Sequence, residues 1–253
     1  MHPRWRYLVP NLITCISISL GLLAISQATS GNYEGACWSV LLCVLLDKAD
    51  GTAARLLNAT SRFGVQLDSL SDLITFGVAP SAIALAAFVG QRPMVDLSPI
   101  AWYRYVVYFG AFVYAICAAL RLAKFNVTTE EYGGKYFFGI PTTLSGGLVC
   151  CYYLTARKYG LPWQALAALP SLMVILAVLM VSRVPLPKLA LRESKLLNVF
   201  QIANVFVVYL FGALRIFPEY LLLTGFAYLA VGTLFGVTHG IKPPPLSAAA
   251  GKV

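Results

Sequence analysis

The chain has 253 residues, 59% of them hydrophobic and only 11% charged, with a formal net charge of +9 and a mean hydropathy of +0.75. A soluble domain carries about 25% charged residues, so this composition excludes an ordinary soluble protein and indicates an integral membrane protein. The basic residues are spread over short loops and helix ends without a dense cluster, which argues for membrane lipids rather than nucleic acid as their partner.

Taken in chain order, apolar segments predict membrane spans at 8–27, 34–56, 67–90, 104–124, 140–156, 165–182, 198–214 and 219–238, since about 20 apolar residues cross the hydrocarbon core. The fold class is an all-α polytopic bundle of about eight spans. The first segment follows Arg4 and Arg6 as a signal peptide would, but Pro10, Asn11, Thr14, Ser17 and Ser19 interrupt it, and it is read as a first membrane helix. With this alternation, fourteen of the nineteen Lys and Arg residues fall on the side of the N-terminus. The positive-inside rule then puts both termini and the 45–72 region in the cytoplasm. Residues 1–240 form one membrane domain, and the Pro- and Ala-rich stretch 241–253 is expected to be a disordered cytoplasmic tail. The six cysteines lack metal-ligand spacing and are assigned to apolar packing.

The second span ends in "LLDKADGTAARLL" (45–57), where an apolar run leads into Asp47, Lys48, Asp50 and Arg55. Of ten acidic residues, four lie within 47–72, in or beside two consecutive spans: Asp47, Asp50, Asp68 and Asp72. An ionisable group in a span costs a few kcal/mol or more and marks a functional site by default. Spacings of three and four residues place each pair on one helix face. Asn58, Thr60, Ser61 and Gly64 make a polar connection, so the two helices can form a hairpin that aims both pairs into one cleft. Four clustered carboxylates repel one another and require a cation. Oxygen donors suit hard ions such as Mg²⁺ or Mn²⁺, and four of them suit a two-metal site for phosphoryl displacement. Gly51 and Ala54 leave room for a flat or phosphate-bearing ligand, Gly64 does so from the next helix, and Arg55 offers a planar fork for phosphate. Ion-coupled transport is the competing reading of intramembrane acids. Transporters usually show internal repeats with broken helices at the midplane, whereas these acids cluster near one surface.

Together these residues read D47-x-x-D50-G51-x-x-A54-R55-x8-G64-x3-D68-x3-D72, which resembles the signature of the CDP-alcohol phosphotransferase family of membrane enzymes. The resemblance implies a six-helix core, here with extra C-terminal helices, and a homodimer in the cell (inner) membrane. It implies that Asp47, Asp50, Asp68 and Asp72 bind two divalent metals. It further implies that Asp47, Asp50, Gly51, Ala54, Arg55 and Gly64 hold the cytidine diphosphate, and that Asp72 is the base. The reaction implied is attack of an alcohol on a CDP-linked substrate with release of CMP.

The stretches "PNLITCISISLGLLAI" (10–25), "FGVQLDSLSDLITFGVAPS" (63–81), "RLAKFNV" (121–127) and "YFFGIPTTLSGG" (136–147) are similar to the members that use CDP-diacylglycerol as donor and L-serine as acceptor. Inositol phosphate, glycerol 3-phosphate and choline stay open as other alcohols, because the signature does not read the acceptor. Lys48 and Ala49 stand where small or apolar residues are more usual, and Lys124 where Arg is usual. The acceptor's carboxylate needs a cation, and Arg121, Lys124 and Lys135 lie on the motif's side of the membrane, with Asn126 as a polar helper. Arg121 is the preferred ligand. Thr142 and Thr143 read as caps for the fifth span.

Overall fold

The computed structural model of the chain describes residues 5–89, 101–128, 136–187 and 195–239. Each predicted span coincides with a helix. In order these are α1 (Trp5–Thr29), α2 (Tyr33–Leu56), α3 (Arg62–Asp72) continued by a π-helical segment (Leu73–Val78) and α4 (Ala79–Phe88), α5 (Ala101–Thr128), and α6 (Thr142–Lys158). A short α7 (Trp163–Leu166) leads into α8 (Leu169–Val181), followed by α9 (Lys195–Leu214) and α10 (Pro218–Thr238). Among the described residues, five helices are long and apolar enough to cross a membrane: Trp5–Thr29, Arg62–Phe88, Trp102–Val127, Gln164–Val181 and Pro218–Thr238. Three are less clear-cut by that measure. α2 carries Glu34, Asp47, Lys48, Asp50 and Arg55, α6 has 17 residues, and Asn198–Leu214 is a shorter apolar helix. The chain is an all-α membrane bundle.

α1 and α2 form a tight antiparallel pair. Gly31 takes a left-handed φ of +83° after α1, and the Asn32 side chain accepts from the Gly35 N–H to cap α2. The buried face of α1 is Pro10, Thr14, Ser17, Gly21, Ala24 and Ala28, alternating steps of four and three residues. Lipid gives no hydrophobic drive for helix pairing, so such small-residue seams hold helices by close van der Waals contact. At Gly21 a Cβ would lie 2.8 Å from the Thr75 side chain, so this seam also seats the π-helical segment. The Ser39 hydroxyl donates to Gln27 Oε1 at 2.9 Å, closing the pair with a polar clasp.

α3 begins five residues earlier than the expected span, because Ser61 caps it by accepting from the Gly64 N–H at 3.0 Å. The π-helical segment follows directly after Asp72. Such segments release backbone groups from the regular ladder and are often found at functional sites. Here the buried Tyr114 hydroxyl donates to the Phe76 carbonyl at 3.0 Å, and Ser81 donates to the Gly77 and Ala111 carbonyls, both at 2.9 Å. α5 packs along this segment and α8; α6 packs against α2, the π segment and α10; α9 packs against α2 and α10.

α5 also outruns its expected span, so 125–128, read as loop, are helix. Asn126 explains this, since its side chain bonds Ser69 at 2.9 Å and ties the last turn of α5 to α3. The predicted loop residues 91–100 and the tail 241–253 lie outside the described residues.

One element was not foreseen. β1 (Tyr136–Phe138) pairs antiparallel with β2 (Pro185–Pro187), with Phe137 opposite Leu186. Gly139 follows β1 at φ +86° and donates its N–H to Val184 O at 2.9 Å. A Cβ there would run into the Met180 carbonyl oxygen. The Tyr228 hydroxyl of α10 donates to Pro187 O at 2.7 Å. This small ribbon clamps the entrance of α6 and so fixes the position of Thr142.

Candidate active site

Asp47 and Asp50 come from the second half of α2, and Asp68 from the middle of α3. One carboxylate oxygen from each of these three lies within 4.8 Å of the others. α1 packs against both helices. α1 thus flanks both helices that carry these acids; the hairpin reading put all four aspartates in one cleft, and the group holds three of them, without Asp72.

The electrostatics of this cluster call for a cation. At an effective dielectric of about 20, two charges 4.8 Å apart repel by roughly 3 kcal/mol. The Lys48 ammonium lies 2.8 Å from Asp47, but on a mostly exposed side chain. The Thr14 hydroxyl donates to Asp50 Oδ2 at 2.8 Å. Asp68 accepts no hydrogen bond from the described residues. Three hard oxygen ligands with so little compensation fit a divalent metal, and the cluster could hold one.

Asp72 lies one turn beyond Asp68, buried, and outside the group of three. Its carboxylate receives a long hydrogen bond of 3.5 Å from Thr142 Oγ1. Thr142 in turn accepts from the Arg121 guanidinium at 3.3 Å. Thr142 is therefore not the helix cap expected of it: the cap position of α6 is Pro141, without a side-chain bond. The threonine side chain instead joins Arg121 to Asp72.

Gly51 faces open space, with no atom within 4 Å of where a Cβ would sit. No neighbour among the described residues requires a glycine there. Ala54 is half-buried, and Arg55 is exposed with its guanidinium 3.4 Å from Thr52 Oγ1. At Gly64 a Cβ would lie 3.2 Å from Ser61 Oγ and 3.5 Å from Asn11 Oδ1, so this glycine also lets the start of α3 sit close to α1. On the expected acceptor side, Arg121 is partly buried and stacks over the Phe125 ring at 5.2 Å. Lys124 is partly buried one turn on. Asn126 is engaged with Ser69 and Gln66, which makes it a brace between α5 and α3. Lys135 lies outside the described residues.

Sequence reasoning passed over Tyr114, and it read Thr14 only as an interruption of the first apolar run and Thr142 only as a helix cap. Thr14 had a visible signal, a polar residue interrupting an apolar run. Tyr114 and Thr142 had none beyond their residue type, because their partners are 38 and 70 residues away.

A helical membrane bundle with a trio of carboxylates, an open glycine shoulder and a neighbouring Arg–Thr–Asp chain defines a membrane-embedded enzyme with a candidate metal centre. The family model for CDP-alcohol phosphatidyltransferase matches residues 7–181. The CDP-diacylglycerol–serine O-phosphatidyltransferase of Helicobacter pylori is 40% identical over 189 residues, 72% of each chain. The archaetidylserine synthase of Methanothermobacter thermautotrophicus is 34% identical over 185 residues, 71% of this chain and 70% of that one. The CDP-diacylglycerol–serine O-phosphatidyltransferase of Bacillus subtilis is 34% identical over 183 residues, 71% of this chain and 89% of that one. The chain belongs to the CDP-alcohol phosphatidyltransferase family.

Proposed function

We propose that this enzyme transfers the phosphatidyl group of CDP-diacylglycerol to the hydroxyl of L-serine, giving phosphatidylserine and CMP. The observation that carries the reading is the continuity of the two halves of the site. The aspartate cluster is the donor half, and Asp72 connects it through Thr142 to Arg121, the cation on the acceptor side. The names of the relatives, which specify serine as acceptor or a serine-headed lipid as product, support the choice of alcohol.

Asp47, Asp50 and Asp68, with Asp72 beside them, would hold two Mg²⁺ or Mn²⁺ ions. When bound, such ions supply Lewis-acid stabilisation of the pyrophosphate and of the departing CMP. Gly51, Ala54 and Gly64 give the cytidine diphosphate access to the backbone, and the exposed Arg55 is free to swing from Thr52 to a phosphate. Arg121 pairs with the serine carboxylate, and Lys124 and Lys135 add positive charge on the same side. Asn126 keeps the end of α5 in place. Asp72 takes the proton from the serine hydroxyl as its oxygen bonds to the phosphatidyl phosphorus and the bond to CMP breaks. The buried position of Asp72, beyond the trio, suits a group that moves a proton away from water.

Arg121→Ala separates the two halves. The serine KM should rise well above tenfold with little change in kcat, because uniform binding is what the guanidinium supplies. The KM for CDP-diacylglycerol should stay within about twofold. A rise in the lipid KM instead would assign Arg121 to the donor.

The site is assigned to the cytoplasmic face of the cell membrane, with residues 1–240 as one membrane domain. The charge asymmetry supports this, as does the gathering of the predicted outer ends. Glu34 lies 3.8 Å from Arg157, and Lys158 lies 2.6 Å from Glu219, at the other ends of α2 and α6 from Asp50 and Thr142. In a background without native cysteine, Cys at Thr60 should react with an impermeant thiol reagent from the cytoplasmic side, and Cys at Tyr159 from the other. Labelling of both from one side contradicts the eight-span count. Assembly as a homodimer rests on the family resemblance.

A further inference from the structure

The first helix carries none of the family's aspartates, yet it touches one of them. Thr14 and Asp50 are both buried, at 4% and 5% exposure, and the Thr14 hydroxyl donates to Asp50 Oδ2 at 2.8 Å. This is the only side-chain hydrogen bond to Asp50 among the described residues. The same hydroxyl lies 3.0 Å from the Pro10 carbonyl, one turn earlier in α1. It has a single proton for two acceptors, and the charged one forms the stronger bond. Of the trio, Asp47 is held by the flexible Lys48, and Asp68 accepts no hydrogen bond from the described residues. Asp50 alone has a rigid, water-excluded partner, on the β-branched side chain of a packed helix.

We infer that Thr14 is a positioning residue of the metal centre. Its hydroxyl holds Oδ2 of Asp50 and so fixes the rotamer of the carboxylate that joins Asp47 and Asp68. Partners that orient a metal ligand in this way typically govern about 10- to 100-fold in metal affinity. α1 thereby becomes part of the active site, and the register of the α1–α2 seam sets the geometry of a ligand on α2.

This inference rests on the reading of the aspartate trio as a metal centre, and one experiment separates the two. Mn²⁺ is titrated into the purified protein without substrate, with free Mn²⁺ followed by its electron paramagnetic resonance signal. Wild type should bind, Thr14→Val should bind about 10- to 100-fold more weakly, and Thr14→Ser should restore affinity to within about threefold of wild type. Thr14→Cys, similar in shape but a weak donor, should fall between Val and Ser. Ser17→Ala, which removes a buried hydroxyl one turn along the same face, should bind like wild type. Wild type that fails to bind Mn²⁺ overturns the metal centre itself. Wild type that binds while Thr14→Val binds equally well overturns the role of Thr14 alone. If Thr14→Val does not fold, equal affinities for Thr14→Cys and Thr14→Ser overturn it in the same way.

Discussion

Asp50→Ala should lose divalent-metal binding and turnover together. Asp50 is the buried member of the trio and shares its cluster with two carboxylates that have little compensating charge of their own. Its loss removes a ligand and leaves the Thr14 hydroxyl only the Pro10 carbonyl as an acceptor. Stabilisation of a phosphoryl transition state by bound metal amounts to several kcal/mol, which corresponds to about 10³-fold or more in rate. Release of CMP by the mutant should therefore fall at least that far, and excess chelator should bring wild type to the same low level. Adding back Mg²⁺ or Mn²⁺ should restore wild type and leave the mutant inactive. Full wild-type activity in excess chelator would remove the basis for the metal reading.

Asp72→Asn should behave differently. The amide preserves the volume and one oxygen but cannot take a proton. Asp72 lies outside the trio and is tied to Thr142 and, through it, to Arg121, so the mutant should still bind CDP-diacylglycerol in a metal-dependent way. Its single-turnover release of CMP should drop by about 10²–10⁴-fold, the usual cost of losing general-base catalysis. Asp47→Asn and Asp68→Asn should instead weaken donor binding, since each removes a charged ligand from the cluster. Donor affinity and single-turnover rate measured side by side on the three mutants decide the matter. If Asp72→Asn loses donor affinity as severely as the other two, Asp72 acts chiefly as a ligand and the base is elsewhere.

The sequence made the spans legible because a membrane imposes length and apolarity on each crossing. The four aspartates stood out for the same reason, since carboxylates in a span are costly enough to be rare. Helix periodicity was sufficient to put Asp47 and Asp50 on one face and to oppose Asp68 to them. Ends of helices were less legible. Ser61 as a cap and Asn126 as a tether lengthen α3 and α5 beyond their apolar runs, and such polar contacts leave no trace in hydropathy.

What depends on distant partners was not legible. Thr142 read as a cap because a threonine at a helix start usually is one, and only the folded chain brings it between Arg121 and Asp72. The π-helical segment after Asp72 is invisible in the sequence, since its released carbonyls are answered by Tyr114 and Ser81 through packing. The β1–β2 ribbon joins segments nearly fifty residues apart, and proline, which stands twice in β2, is no strand signal.

The central claim is that serine is the alcohol and CDP-diacylglycerol the donor. The direct measurement offers the purified protein CDP-diacylglycerol, Mn²⁺ and one alcohol at a time (L-serine, inositol phosphate, glycerol 3-phosphate or choline), following CMP release and the lipid product. CMP should appear with L-serine, matched mole for mole by phosphatidylserine, and stay near background with the other three. Equal or faster CMP release with any of them, or no CMP with serine, would contradict the account.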